Sequence, residues 1–227
     1  MLLHIPHVLS RDAVADCRRQ LEAAAWVDGR LTAGSQSEQR KHNLQLAEDS
    51  DLARALRDTV LDALGRTPTF FSAALPRRIY PPLFNCYTGA HNAFGDHVDN
   101  AVRTHRATQT HLRTDLSFTL FFTDPDEYDG GELVIEDTFG CQRIKLPAGD
   151  LVLYPSSSVH RVEPVTAGAR IACFSWLESM VRETERRRLL YDLDRQICRL
   201  RETHGDDDTA VGLTSCYHNL VRMWACP

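Results

Sequence analysis

The chain has 227 residues, 43% of them apolar and 25% charged, and a formal net charge of −5 at pH 7. That length suits one sizeable core with at most a small appendage. No apolar run approaches the ~20 residues that cross a bilayer, and the acidic balance lacks the basic footprint of a general nucleic-acid binder, so neither a membrane nor a nucleic acid is an expected partner.

The first residues, Met1-Leu2-Leu3-His4-Ile5-Pro6, carry no charged lead-in to an apolar stretch. The cysteines (Cys17, Cys86, Cys141, Cys173, Cys198, Cys216 and Cys226) form no Cys-x-x-Cys pair, which argues against a zinc ribbon or a thioredoxin-like motif. The expectation is a cytoplasmic protein with buried, reduced thiols.

Ser10 is placed to cap a helix that runs to about Ala25, with Val14, Cys17, Leu21 and Ala24 at helical spacing. Residues 26–34 read as a strand or loop with turn glycines, and residues 50–64 as a second helix ending at Gly65. From Leu75 to Leu177 short runs of Val, Ile, Phe, Tyr and Thr alternate with Gly, Pro and Asp, the pattern of a sandwich or barrel of short strands. Strands are expected near 79–87, 115–122, 131–136, 142–146, 149–154, 159–164 and 170–177, with turns at Asp129-Gly130-Gly131 and Pro147-Ala148-Gly149-Asp150. Residues 103–113, rich in Thr, Arg and His, read as a mobile loop, a common place for a lid. Residues 178–203 fit one long amphipathic helix, with Arg186-Arg187-Arg188 on a solvated surface. That helix either packs on its own sheet or pairs with a second chain as a homo-oligomer. An acidic stretch, 204–209, precedes a short C-terminal segment. The division expected is a β domain with N-terminal helices over 1–177 and a helical extension over 178–227.

The sharpest local feature is Gly95-Asp96-His97-Val98-Asp99-Asn100. On an extended strand residues i and i+2 point the same way, so His97 and Asp99 converge. An imidazole and a carboxylate on one face supply two ligands of a 2-His-1-carboxylate iron site, which needs a third imidazole and keeps positions open for chemistry. Of ten histidines, His160 is the best placed, at the edge of the strand that follows Gly149-Asp150-Leu151-Val152-Leu153-Tyr154-Pro155. Ten residues on, Arg170 opens an apolar strand, where a guanidinium is costly to bury without an anion and suits a carboxylate bidentately.

His97-Val98-Asp99, His160 and Arg170, in that order, resemble the Fe(II)/2-oxoglutarate dioxygenases. The resemblance implies a mainly β, α+β fold: a double-stranded β-helix (jelly roll) with N-terminal helices packed on the sheet and a C-terminal helical extension. Residues 26–34, 97–101, 115–121, 128–133, 145–150 and 154–157, with 187–194 and 217–224 in the tail, are similar to the bacterial PKHD-type hydroxylases over nearly the whole chain.

Membership implies Fe(II) on His97, Asp99 and His160, 2-oxoglutarate with its far carboxylate on Arg170, O2, and L-ascorbate (vitamin C). Similarity to the prolyl hydroxylases adds Tyr87, ten residues before the first ligand, as a hydrogen-bond partner of 2-oxoglutarate. It turns Ser117, Thr119 and Phe121 inward and places Trp176 in the pocket. Phe121 departs from the family pattern, which has a tyrosine hydroxyl for the far carboxylate there; Thr119 is the substitute considered. Asn100 is a candidate for orienting a ligand by adjacency. The activity implied is hydroxylation of a small-molecule or peptide substrate with release of succinate and CO2. The alternative is a non-catalytic iron and 2-oxoglutarate sensor on the same fold, which would accumulate no succinate.

Overall fold

A computed structural model describes residues 1–32, 40–105, 108–138 and 140–226. Strand β1 (Leu3–Ile5) leads into helix α1 (Arg11–Glu22), whose N-cap Ser10 accepts a hydrogen bond from the Ala13 amide. Three short strands follow, β2 (Trp26–Asp28), β3 (Lys41–His42) and β4 (Leu44–Leu46); the expected strand at 26–34 reaches beyond the described residues at its end. Helix α2 (Asp51–Gly65) is capped by Ser50 in the same manner as α1, and α3 (Pro68–Ala74) follows with its proline in the first turn, where no amide is needed.

The strand expected over 79–87 divides at Pro81-Pro82 into β5 (Pro76–Ile79) and β6 (Leu83–Tyr87), because proline cannot donate to a ladder. Next come β7 (Ala93–His97), β8 (Val102–Thr104) and β9 (His111–Arg113). The last two pair as a hairpin, so the segment read as a loop is ordered strand at both ends. The series continues with β10 (Leu116–Phe121), β11 (Tyr128–Gly130), β12 (Leu133–Asp137) and β13 (Gly140–Ile144). It closes with β14 (Leu151–Pro155), β15 (His160–Val162), β16 (Val165–Gly168) and β17 (Arg170–Ser179).

The strands form a jelly roll. The major sheet runs β1-β14-β10-β17-β6-β4-β2 with β5 on β17, and the minor sheet runs β13-β12-β15-β7-β3. β11 and β16 close one end; Gly130 sits there at φ +70°, and a Cβ on it would lie 2.1 Å from the Pro164 carbonyl oxygen. Strand β10 is buried on both faces. Leu116, Phe118 and Leu120 pack with Leu56, Val60 and Phe70 of the N-terminal helices, while Phe121 packs with Leu133 and Val162 of the minor sheet. The period of two thus sends alternate residues to the helix layer and to the space between the sheets.

The C-terminal region is more helical than its composition suggests. Helix α4 (Thr184–His204) is followed by α5 (Asp208–Trp224), capped by Asp207, where a short segment was expected. Leu190 and Ile197 of α4 pack with Tyr217 of α5 and with Leu75 and Val181, so the inner apolar stripe of the long helix is covered by its own chain. Arg187 corrects the reading of the arginine run as wholly solvated. It is buried and donates to the carbonyls of Val181 (2.7 Å) and Arg182 (2.6 Å), tying the helix start to the end of β17. Cys17, Cys86 and Cys173 are buried as expected, but Cys141, Cys216 and Cys226 are exposed. No helix among the described residues is long and apolar enough to cross a membrane.

Leu190 has no exposed surface, and its truncation leaves a cavity between α4 and α5. Leu190→Ala should cost about 2–5 kcal/mol in urea denaturation, and Leu189→Ala, on the exposed side, under ~1 kcal/mol.

Candidate active site

β7 and β15 lie side by side in the minor sheet, with His97 directly across from His160. Their rings sit 4.2 Å apart between centroids. Asp99 lies just past the end of β7, in irregular chain, so the carboxylate converges from a loop position and not from the strand that the spacing suggested. The ligating atoms of His97, Asp99 and His160 all lie within 4.8 Å of one another, with His160 Nε2 3.8 Å from Asp99 Oδ2.

Both imidazoles are oriented by their own backbone. His97 Nδ1 lies 2.8 Å from the Gly95 carbonyl oxygen and His160 Nδ1 3.0 Å from that of Ser158. A carbonyl only accepts, so each Nδ1 carries the proton and each Nε2 presents a lone pair to the pocket. Phe94 stacks on His97 at 3.6 Å, and Tyr154 meets His160 edge-on. Burial, helped by the neighbouring His160, pushes the His97 pKa down to about 4, so the ring is neutral near pH 7. Asp99 is held by Ser117 Oγ, which donates to Oδ2 at 2.6 Å and is backed by Ser156 Oγ at 2.7 Å. Asn100, the neighbour singled out by adjacency, uses its carbonyl to accept from Thr114 Oγ1.

Across the gap the major sheet contributes Arg170, which pairs in register with Tyr87 at the start of β17. It is 1% exposed. Its guanidinium lies over the rings of Tyr87 (5.3 Å) and Phe121 (5.1 Å). No carboxylate among the described residues is within ion-pair distance of it, and its Nε and Nη1 have no hydrogen-bond partner. Tyr128 was not anticipated. Its hydroxyl faces Arg170 and is likewise buried without a partner of normal geometry.

The pocket unites nearly all the expected residues: His97, Asp99, His160, Arg170, Tyr87 and Thr119 all line it, as do Ser117 and Trp176. Their neighbours differ from expectation. The Tyr87 hydroxyl faces Asn43, and Thr119 faces the Tyr154 hydroxyl. Trp176, buried in the lining, lies under the Arg103 guanidinium at 3.8 Å. Sequence reasoning also passed over Lys41, Asn43 and Arg103, which line the same cavity. Lys41 and Asn43 alternate along 41–43, and their polarity gave no sign that the chain folds inward there.

Residues 82–178 match the family model described as the 2OG-Fe(II) oxygenase superfamily, and residues 185–225 the PKHD-type hydroxylase C-terminal domain. Over 224 residues the chain is 58% identical to a PKHD-type hydroxylase of Stutzerimonas stutzeri (strain A1501), covering 99% of each. The chain belongs to the PKHD-type hydroxylases. A PKHD-type hydroxylase of Variovorax paradoxus (strain S110) is also 58% identical, over 225 residues and 99% of each chain. Among solved structures, the non-heme alpha ketoglutarate dependent carbocyclase SnoK from nogalamycin biosynthesis shares the fold at TM-score 0.55 and 18% identity, over 79% of this chain and 80% of that one.

The hydroxylase is therefore an oxidoreductase of the 2OG-Fe(II) oxygenase superfamily, a family that implies Fe(II), 2-oxoglutarate and O2. The sensor reading is not favoured by these relatives. If Ser117 fixes the Asp99 carboxylate, Ser117→Ala should weaken Co(II) binding by about ten- to hundredfold in a spectroscopic titration, with the fold retained.

Proposed function

We propose that this hydroxylase binds Fe(II) through His97 Nε2, Asp99 and His160 Nε2, takes 2-oxoglutarate with its far carboxylate on Arg170, and hydroxylates a small molecule or a peptide. The observation that carries the reading is Arg170: a sealed guanidinium with two unpartnered nitrogens, in the same pocket as two imidazole lone pairs and a carboxylate. Leaving a cation buried and unpaired costs several kcal/mol, which an anionic ligand would offset. The donor set suits iron, since two imidazoles and one carboxylate leave coordination positions open.

Iron with 2-oxoglutarate and O2 supplies the oxidising power, and 2-oxoglutarate leaves as succinate and CO2. The chain's own residues do the positioning. Gly95 and Ser158 fix the imidazole tautomers, and Ser117 fixes the carboxylate. Phe94, Leu133 and Val162 line the wall and exclude water. Tyr128 takes the place left by Phe121: its hydroxyl faces Arg170 and completes the recognition of the far carboxylate. Thr119, turned to Tyr154, is one step removed. Ascorbate, implied by the family resemblance, would keep the iron reduced, and the free, buried thiols of Cys17, Cys86 and Cys173 fit a reducing compartment such as the cytoplasm.

Anaerobic protein with Fe(II) and 2-oxoglutarate should show a weak visible charge-transfer band. The band should vanish in His97→Ala and require far more 2-oxoglutarate in Arg170→Ala. Wild type lacking the band while iron is bound would refute the 2-oxoglutarate reading. Tyr128→Phe should raise the 2-oxoglutarate concentration for half-saturation by about tenfold, the loss of one hydrogen bond to a charged group. An unchanged value there would assign the role of Tyr128 to packing alone.

A further inference from the structure

Two carboxamides in the pocket lining, Asn43 and Asn85, have no role in the proposed function. Asn43 has no exposed surface, and Asn85 keeps 6% of its own. Neither Nδ2 nor Oδ1 of Asn43 has a hydrogen-bond partner, and neither has Oδ1 of Asn85. Folding takes such groups out of water and gives them no bond in return, so each lowers the stability of the empty protein.

The fold explains why they stay unpaired. Asn85 and Tyr87 are two apart on β6 and so share the inner face of the major sheet. In the ladder Asn85 lies across from Ala172, and Ala172 across from Phe121, neither of which offers a polar side-chain atom. Because β4 pairs with β6, Asn43, one residue ahead of β4, comes to face the Tyr87 hydroxyl. That hydroxyl is outside hydrogen-bonding geometry, and its single proton could serve only the amide oxygen. Asn43 is lodged against bare backbone: a Cβ on Gly29 would lie 1.8 Å from its Oδ1, and the Gly29 amide donates to its main-chain carbonyl at 2.8 Å.

We infer that Asn43 and Asn85 recognise a neutral amide of the substrate, a peptide bond or a carboxamide, whose N–H and C=O pair with the amide atoms left without partners. 2-Oxoglutarate cannot take this place. Its dianion carries acceptor oxygens alone, whereas a carboxamide oxygen needs a donor. Both side-chain atoms of Asn43 are unpartnered, so the requirement holds whichever way that amide is turned. A carboxylate would satisfy the nitrogen alone and an ammonium the oxygen alone; an amide satisfies both. A ligand without the N–H leaves a buried oxygen unpaired, which is how such a site rejects it.

The inference rests on the proposed function, whose substrate class it names, and its test reads the two separately. Anaerobic protein with Fe(II) and 2-oxoglutarate, its charge-transfer band recorded first, is titrated with 3-phenylpropanamide, its N,N-dimethyl amide and methyl 3-phenylpropanoate, of which only the first has N–H donors. Ligand-observed NMR follows binding whether or not the band is present. The primary amide should bind at least about tenfold more tightly than the other two. Asn43→Leu and Asn85→Leu, close in shape to the residues replaced, should each reduce that preference below about threefold and keep half-saturation by 2-oxoglutarate within about twofold of wild type. The urea midpoint of each variant, free of metal and ligand, should be no lower than that of wild type, since an unpaired polar group is gone. A wild type without the preference, or one that binds none of the three at millimolar concentration, overturns the inference. So does weakened 2-oxoglutarate binding in both variants, which would assign the carboxamides to that cosubstrate, or a lowered urea midpoint in both, which would make them structural. A wild type that prefers the primary amide but shows no band with iron bound brings down the 2-oxoglutarate reading and leaves the amide site standing.

Discussion

The rest of the site depends on a guanidinium sealed between two sheets. Arg170 opens β17, and the register of β17 with β6 and β10 places its side chain among Tyr87, Phe121 and Tyr128. Folding has to remove that charge from water, and nothing negative in the described chain meets it. A substitution that relieved the cost, such as Arg170→Met, would be expected to stabilise the empty protein. The persistence of such a costly group in a wall otherwise made of aromatic and aliphatic side chains fits a fold stabilised by what it binds.

The two sheets divide the work. The major sheet provides the anion receptor and, through Ser117, the support for the carboxylate; the minor sheet provides both imidazoles from adjacent strands. Because His97 and His160 are cross-strand neighbours, sixty-odd residues of intervening chain are irrelevant to their separation. Their tautomers are set by carbonyls two residues upstream in each case. A metal would therefore meet two lone pairs already directed, and burial keeps a competing proton off His97 until the solution is well below neutral pH.

Much of this was legible in the sequence, for physical reasons that also mark where reading stops. Alternation along 116–121 announces which side chains enter the space between the sheets, because a strand has only two faces. His-x-Asp, His and Arg carry a pattern of residue types that few other chemistries use. The hairpin at 102–113 and the inward course of 41–43 were not legible: their residues are polar, and polar residues read as surface unless a cavity is known to wait for them. Helix α5 escaped because Gly212 and the Thr and Ser near it weaken helical propensity, while packing of Tyr217 on α4 overrides that weakness. Tyr128 escaped because it follows an exposed turn and pairs only with the short β16; what turns it inward is the Gly130-Gly131 corner, where positive φ at both residues redirects the chain.

The same geometry explains why charges of both signs share the cavity. Strands β7 and β15 bring the two imidazoles, of which burial keeps His97 neutral, and Asp99 is the carboxylate that joins them among the described residues of the lining. Arg170 lines the same pocket from the major sheet. An anion held by Arg170 thus shares the cavity with the Asp99 carboxylate. A metal ion on Asp99 would mask that negative charge, which makes metal-first binding the electrostatically favoured order for this pocket.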